Sequence, residues 1–369
     1  MNQLFRWDQM GLFLLALAAG ILPFTVSEVC AAALREGLTL CSGPLLLSLF
    51  PFLVVSRLLI QCPESDLLAL PFRLAAWGIG IRTPCAARVL CIGFLGGFAP
   101  AASAAAQAVR TGQLTAEEAD ALLPACICSG PSFVVLTVGQ SLLGSAELGV
   151  LLFASQITAN YLTAALLNRF AGVRSVKPGS AAPASPAPPR LDEILADAAI
   201  TYCKLCGFIL FFRMLAAGAG ALLPAGAGTL CAILLEVCSG CDLASRTGRW
   251  GSLLCCAALS VQGLSVLLQV RTICPPEMTL RPLYRARILH LPLSLALFYL
   301  LLPGGEADVF STLPARVLLM RRVPPDCALL VFAVCCMAAC TLRSGIRQVE
   351  QKQMARNAGG CCINSKTLL

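Results

Sequence analysis

Charge is what this sequence has least of. Asp, Glu, Lys and Arg together make up 12% of its 369 residues, about half of what a soluble domain carries, which excludes a water-solvated globule. Histidine occurs once, as His290. With a single imidazole, and with no GxSxG or HExxH pattern, neither a Ser-His hydrolase nor a zinc protease is spelled out. An intramembrane enzyme is therefore the weakest reading, and no catalytic residue is assigned. The GxxxxGK[ST] loop of nucleotide-driven machines is missing as well. Any energy coupling is then expected to run through an ion or a gradient, and no cofactor or metal is expected. The formal net charge of +8 fits a membrane-surface bias rather than a nucleic-acid-binding face.

What is present is apolar. Hydrophobic residues reach 58% and the mean hydropathy is +0.81. A membrane-spanning helix needs roughly 20 such residues. Candidate segments lie near 10–34, 43–62, 84–109, 121–143, 146–168, 200–222, 226–244, 251–270, 286–302 and 326–342. The expected class is an all-α polytopic membrane protein with about eight to ten hydrophobic segments, some of them broken or re-entrant. The segments at 43–62 and 226–244 are the ones expected to enter and leave on one side. Residues 1–170 form a first membrane half and 171–190 a linker with five prolines, semi-extended by composition. Residues 191–342 form a second half, and 343–369 a basic tail. Glu28 spoils a small-residue cleavage site after the first apolar run, so that run is expected to stay as a helix.

Twenty-one cysteines sit within apolar runs, where a free thiol behaves as a small hydrophobe. Two CxxC spacings, Cys203 to Cys206 and Cys238 to Cys241, have the form of a thiolate zinc site, but their membrane setting favours the packing role. Lys and Arg mark the cytoplasmic side. The loop with Arg271, Arg281, Arg285 and Arg287, the tail, and the linker with Arg169, Arg174 and Lys177 are expected to share it. Arg246 and Arg249 fit that scheme only if one segment is a re-entrant hairpin. Arg57 is expected to snorkel to the interface.

The stretch that organises the rest runs from 86 to 144. It holds two apolar segments, one interrupted at Gly96, Gly97 and Pro100 and the other at Ser129, Gly130 and Pro131, joined by a polar turn. In that turn Thr115 precedes Glu117 and Glu118 in the manner of a helix start. Gly and Pro free backbone groups that lipid cannot satisfy, so such breaks persist only inside protein or beside a wet cavity. Paired breaks of this kind are the construction of secondary-transporter sites, usually as inverted repeats. The second half repeats the pattern at Ser239-Gly240 and at Gln262 to Ser265. Lys204 and Arg213 are cations inside a hydrophobic helix, and Arg213, about 13 Å further in, is the better site candidate. Glu236 either pairs with Arg213, carries a proton or contacts a solute. Gln156 and Asn160 share a helix face and most simply join helices.

In order along nearly the whole chain, Ala32-Ala33 with Gly37-Leu38, Pro44 to Phe52, Gly96 to Ser103, Thr111 to Glu118, Cys128 to Phe133 with Val138-Gly139, and Gly263 to Ser265 with Gln269 carry a likeness. They resemble the YlbJ-type sporulation integral membrane proteins of the nucleoside-recognition, or Gate, domain family. The resemblance implies a polytopic protein of the outer forespore membrane, needed for cortex or core maturation, with a role in moving dipicolinate. At the first break the family has Ser-Gly-Tyr-Pro followed by Gly-Ala-Lys. This chain has Gly96-Gly97-Phe98-Ala99-Pro100 and no lysine nearby.

The reading is thus a permease for a small anionic or heteroaromatic solute, in contact with lipid and with a possible coupling ion. Its site is expected at Gly97, Pro100, Ser103, Ser129, Gly130, Ser132, Arg213, Glu236, Ser239, Gln262, Ser265 and Gln269. The alternative is a membrane scaffold that transports nothing.

Overall fold

The structure is a computed structural model and describes residues 2–172 and 191–302. Most of the proline-rich linker, the candidate segment 326–342 and the basic tail lie outside the described residues. Within them every regular element is helical, and the protein is an all-α polytopic membrane protein. Its surface carries large apolar side chains such as Phe24, Phe170, Ile288 and Leu300, each at least 75% exposed, as expected where the solvent is lipid.

The first apolar run is sharply bent. Helices α1 (Asn2–Thr25) and α2 (Ser27–Ser42) meet at a bend of 109°. Helix α3 (Pro44–Gln61) runs unbroken through Pro51. Arg57, near its end, is buried rather than snorkelling. A short helix α4 (Leu70–Gly78) leads into the centre.

Helices α5 (Pro84–Gly96) and α6 (Phe98–Arg110) are joined by Gly97 alone and fold back on each other. A Cβ placed on Gly93 would lie 3.2 Å from the Cβ of Ala101, a contact that two helices continuing in line could not make across eight residues. Each arm has 13 residues, about 20 Å of helix against about 30 Å of hydrocarbon. The interruption at Gly97 is therefore the tip of a re-entrant hairpin rather than a kink in a span. Alanines at 99, 101, 102, 104, 105, 106 and 108 are all buried, and small side chains let neighbouring helices approach closely.

Next comes α7 (Ala116–Cys126), opened by the expected cap. The Thr115 hydroxyl accepts from the Glu118 N–H and the Glu118 carboxylate accepts from the Thr115 N–H. After a non-helical stretch the chain resumes as a π-helix, Ser132–Leu142. The long α8 (Ala146–Ala171) closes the first half.

The second half repeats the sequence of forms. Helix α9 (Leu191–Leu222) is followed by α10 (Ala225–Leu235) and α11 (Val237–Ser245), again a hairpin. A Cβ on Gly240 would lie 2.8 Å from the Cα of Ile233. Then α12 (Gly251–Val261) and α13 (Gly263–Ile273) continue in one direction through a break, and α14 (Arg281–Leu301) ends the described part. Hairpin plus broken span thus occurs twice. One main core contains side chains from both halves, with α2 packed on α9 and α14 on α7 and α8, so the halves interlock.

Orientation follows by counting crossings from the linker. Going back along α8 and then the broken span α7–π returns to the linker's face, so hairpin α5–α6 opens there. Going forward across α9 reaches the other face, where hairpin α10–α11 opens. The two hairpins are inverted with respect to each other. This threading also puts the loop of Arg271, Arg281 and Arg285 on the linker's side, as the Lys/Arg bias requires. Arg246 and Arg249 fall on the opposite face, where Arg246 pairs with Asp242.

The π-helix lies directly on α8, because a Cβ on Gly149 would meet the Cα of Val135 at 2.8 Å and the Cα of Gly139 at 3.0 Å. Substitution Gly149→Val should cost about 1–3 kcal/mol and lower the thermal midpoint in detergent, whereas Gly226→Ala, with nothing within 4 Å, should leave it unchanged or slightly raised.

Candidate functional site

Each hairpin tip docks onto its own broken span. Gly97 has φ +80°, a conformation that favours glycine, and a Cβ there would stand 2.7 Å from the Gly130 nitrogen. Pro100 falls in the first turn of α6, where no intrahelical donor is lost. In the other half Gly263, at φ +70°, would set a Cβ 2.9 Å from both the Glu236 nitrogen and the Leu235 carbonyl carbon.

The second hairpin turns at Glu236, not at Ser239-Gly240, which lie inside α11; this corrects the sequence reading by three residues. Glu236 is extended, at φ −152° and ψ 125°, and caps the helix it precedes. Its carboxylate accepts from the backbone N–H of Cys238 at 2.8 Å and of Ser239 at 2.7 Å, and from the Ser239 hydroxyl at 2.9 Å. A negative charge is stabilised at that end of a helix. With its oxygens so engaged, Glu236 does not form the expected hydrogen-bonded pair with Arg213. Arg213 instead binds Glu36 of α2 at 2.7 Å and lines neither of the two cavities described below, so it leaves the site.

The broken spans free carbonyl groups, and one cation collects two of them. Arg287 of α14 is 8% exposed. It donates to the carbonyl of Ile127 at 3.0 Å and to that of Ser260 at 3.3 Å. Asn160 of α8 also donates to the Ile127 carbonyl, while its amide oxygen accepts from Arg287. Gln156 donates to the Ser260 hydroxyl at 2.9 Å and to the Cys256 carbonyl at 3.2 Å. Asn160 and Gln156 therefore join helices, as their spacing suggests. Arg287 was placed by the sequence reading in a cytoplasmic loop, which the structure corrects. A signal for it existed: Arg287, His290 and Ser294 fall on one helix face by spacing, and all three are buried.

Two cavities adjoin these breaks. The inner one, about 60 Å³, is lined by Gly96 and Phe98 of the first tip, Ser129, Gly130 and Ser132 of the first broken span, Glu236 to Cys238 of the second tip, and Gln269. The outer one, about 150 Å³, runs between α3, α6, α9 and α13 and is lined by Arg57, Ser103, Arg110, Asp197, Lys204 and Gln269 among others. Gln269 belongs to both. It donates to the Ser265 hydroxyl at 3.0 Å, and its amide oxygen has no partner.

Of the expected site residues, Ser129, Gly130, Ser132, Glu236 and Gln269 gather around the inner cavity, and Ser103 lines the outer one. Gly97 and Pro100 shape the first tip, Ser239 holds Glu236, and Ser265 holds Gln269. Gln262, 1% exposed and at φ +63°, makes the second break without lining either cavity. Arg57, Asp197 and Lys204 are additions to the site; the pairing of Arg57 with Asp197 across α3 and α9, invisible in sequence, brings the first two together, and Lys204 lines the same cavity.

Compared with protein families, with curated proteins and with solved structures, the chain has no match.

Replacing Arg287 by Leu leaves the Ile127 carbonyl with Asn160 alone and strips Arg287 from the Ser260 carbonyl and the Asn160 amide oxygen, each of the latter losses worth about 1–3 kcal/mol when buried. The variant should unfold at a clearly lower temperature in lipid-supplemented detergent. Arg285→Gln, on an exposed position, should unfold like the parent protein.

Proposed function

We propose that this chain is a membrane carrier for a small anionic or heteroaromatic solute. The observation that carries the reading is the convergence of both hairpin tips and both broken spans on one inner cavity. Half-helix ends facing a common point are the construction by which transporters hold a solute. The N-termini of α6 and of the π-helix both border that cavity and favour negative charge there. At about 60 Å³, against on the order of 10–15 Å³ per water, the cavity has room for a few waters. That volume is smaller than a full solute, so loading the inner site requires it to widen.

The resemblance to the YlbJ-type sporulation proteins extends the proposal to dipicolinate as solute and to the outer forespore membrane as location. Glu236 is the group proposed to carry a coupling proton, being the one carboxylate lining the inner cavity.

The test is uptake of labelled dipicolinate and of uridine into vesicles of purified full-length protein, with and without an imposed proton gradient. Saturable dipicolinate uptake is expected. Ser132→Leu, which fills the inner cavity, should reduce it at least about tenfold with folding unchanged; a 1.4 kcal/mol penalty already gives that factor. A parent protein that moves neither compound, together with Ser132→Leu cells that sporulate normally, would favour the scaffold reading.

A further inference from the structure

The outer cavity differs from the inner one in its charge. Its wall carries Arg57, Arg110 and Lys204 against one carboxylate, Asp197, so three positive charges face one negative. Arg110, Ser103 and Ala106 lie on one face of α6, and Arg110 to Ser103 covers seven residues, about 10 Å. The cavity therefore leads from the linker-side mouth of the first hairpin towards its tip, and Gln269 is the residue where it meets the inner cavity.

Two buried groups in this wall are unfinished. Arg57, 7% exposed, donates to Asp197 through Nη1 and to the Thr201 hydroxyl through Nη2 at 3.3 Å, while its Nε has no partner. Gln269, 2% exposed, has an unpartnered amide oxygen. A guanidinium offers five N–H donors in a planar fork that suits a carboxylate taken through two of them, and the bonds to Asp197 and Thr201 leave part of that fork unused. Asp197 is held through a single oxygen. Its side chain is 61% exposed against 9% for Arg57, so the carboxylate is mostly hydrated and its release into water costs little.

We propose that the outer cavity is a carboxylate-binding site. Arg57 takes the solute's carboxylate, Lys204 and Arg110 attract it, and Asp197 occupies that place until a solute displaces it. The volume, about 150 Å³, corresponds to on the order of ten waters, which suits a compact organic acid better than a nucleotide. As a step in transport this site rests on the carrier reading; as a binding site it does not.

The test is calorimetric titration of pyridine-2,6-dicarboxylate into the full-length protein in detergent at low and high salt. Binding is expected to weaken with salt. It should weaken about threefold in Lys204→Gln, whose charge is exposed. In Asp197→Asn, which removes the internal competitor, it should tighten about threefold. Loss of at least about tenfold is expected when the Arg57 fork is removed, tested as Arg57→Gln with Asp197→Asn so that no carboxylate is left unpaired. Titration curves of Lys204→Gln and Asp197→Asn identical to the parent, or no binding by the parent at millimolar diacid, would overturn the proposal. Normal titration without vesicle uptake would instead remove the carrier and keep the site. Uptake with variants that titrate like the parent would do the reverse.

Discussion

Backbone hydrogen bonding without water is the constraint from which the rest of this structure follows. The chain turns or breaks at Gly97, Ile127 to Gly130, Glu236 and Gln262, and each interruption leaves donors and acceptors that lipid would not satisfy. The solutions differ in kind. At the second tip a carboxylate supplies the acceptors for α11. At the two broken spans a guanidinium and an amide supply donors for stranded carbonyls. The first tip has no charged cap and relies on glycine, whose missing Cβ lets Gly97 and Gly130 approach backbone to backbone. The two tips thus end up with opposite chemistry, one bare backbone and one carboxylate, although their topology corresponds.

Arg287 ties the two broken spans to each other through α14. Because it reaches the Ile127 carbonyl in the first half and the Ser260 carbonyl in the second, the spans are coupled by one side chain. The hairpins have no such common tie. At the tips each is seated on its own span by a glycine contact, Gly97 on Gly130 and Gly263 on Glu236, which is van der Waals packing, while at its mouth the first hairpin is tied to its span by the Thr83 hydroxyl, which donates to the Glu118 carboxylate at 2.6 Å. The spans thus share one side chain, while each tip is seated separately on its own span.

Much of this was legible in residues and some was not. Gly97, Gly130 and Gln262 announced interruptions because glycine, proline and polar residues inside apolar runs have few other uses, and Thr115 with Glu118 announced a helix start. Whether an interruption bends the chain in place or reverses it depends on what packs across it. The contact of Gly93 with Ala101 is a fact of tertiary structure, so the hairpin at Gly97 read as a broken span. For Glu236 the sequence leaves three roles open, a pair with Arg213, a proton carrier or a solute contact, and none of them is the cap that its carboxylate forms on α11, which depends on where the helix begins. Arg287 read as a loop cation because Arg281 and Arg285 precede it; helical spacing to His290 and Ser294 held the better clue.

The charge order along the path from outer to inner cavity sharpens what the protein has to do. On the carrier reading proposed above, an anion at Arg57, Lys204 and Arg110 would meet, beyond Gln269, a cavity lined by the Glu236 carboxylate. Like charges repel strongly where water is scarce, so full occupation of the inner cavity by an anion and an ionised Glu236 is unfavourable. Glu236 is already committed to the N-terminus of α11, and neutralising it would weaken that cap. On that reading, loading the inner cavity and loosening the second tip would be coupled through this one carboxylate. Gln269 suits the boundary because its amide both donates and accepts, and so meets a carboxylate or a carboxylic acid equally. Glu236, which caps α11 at the second tip, is on that reading the group that an anion in the inner cavity would act on first.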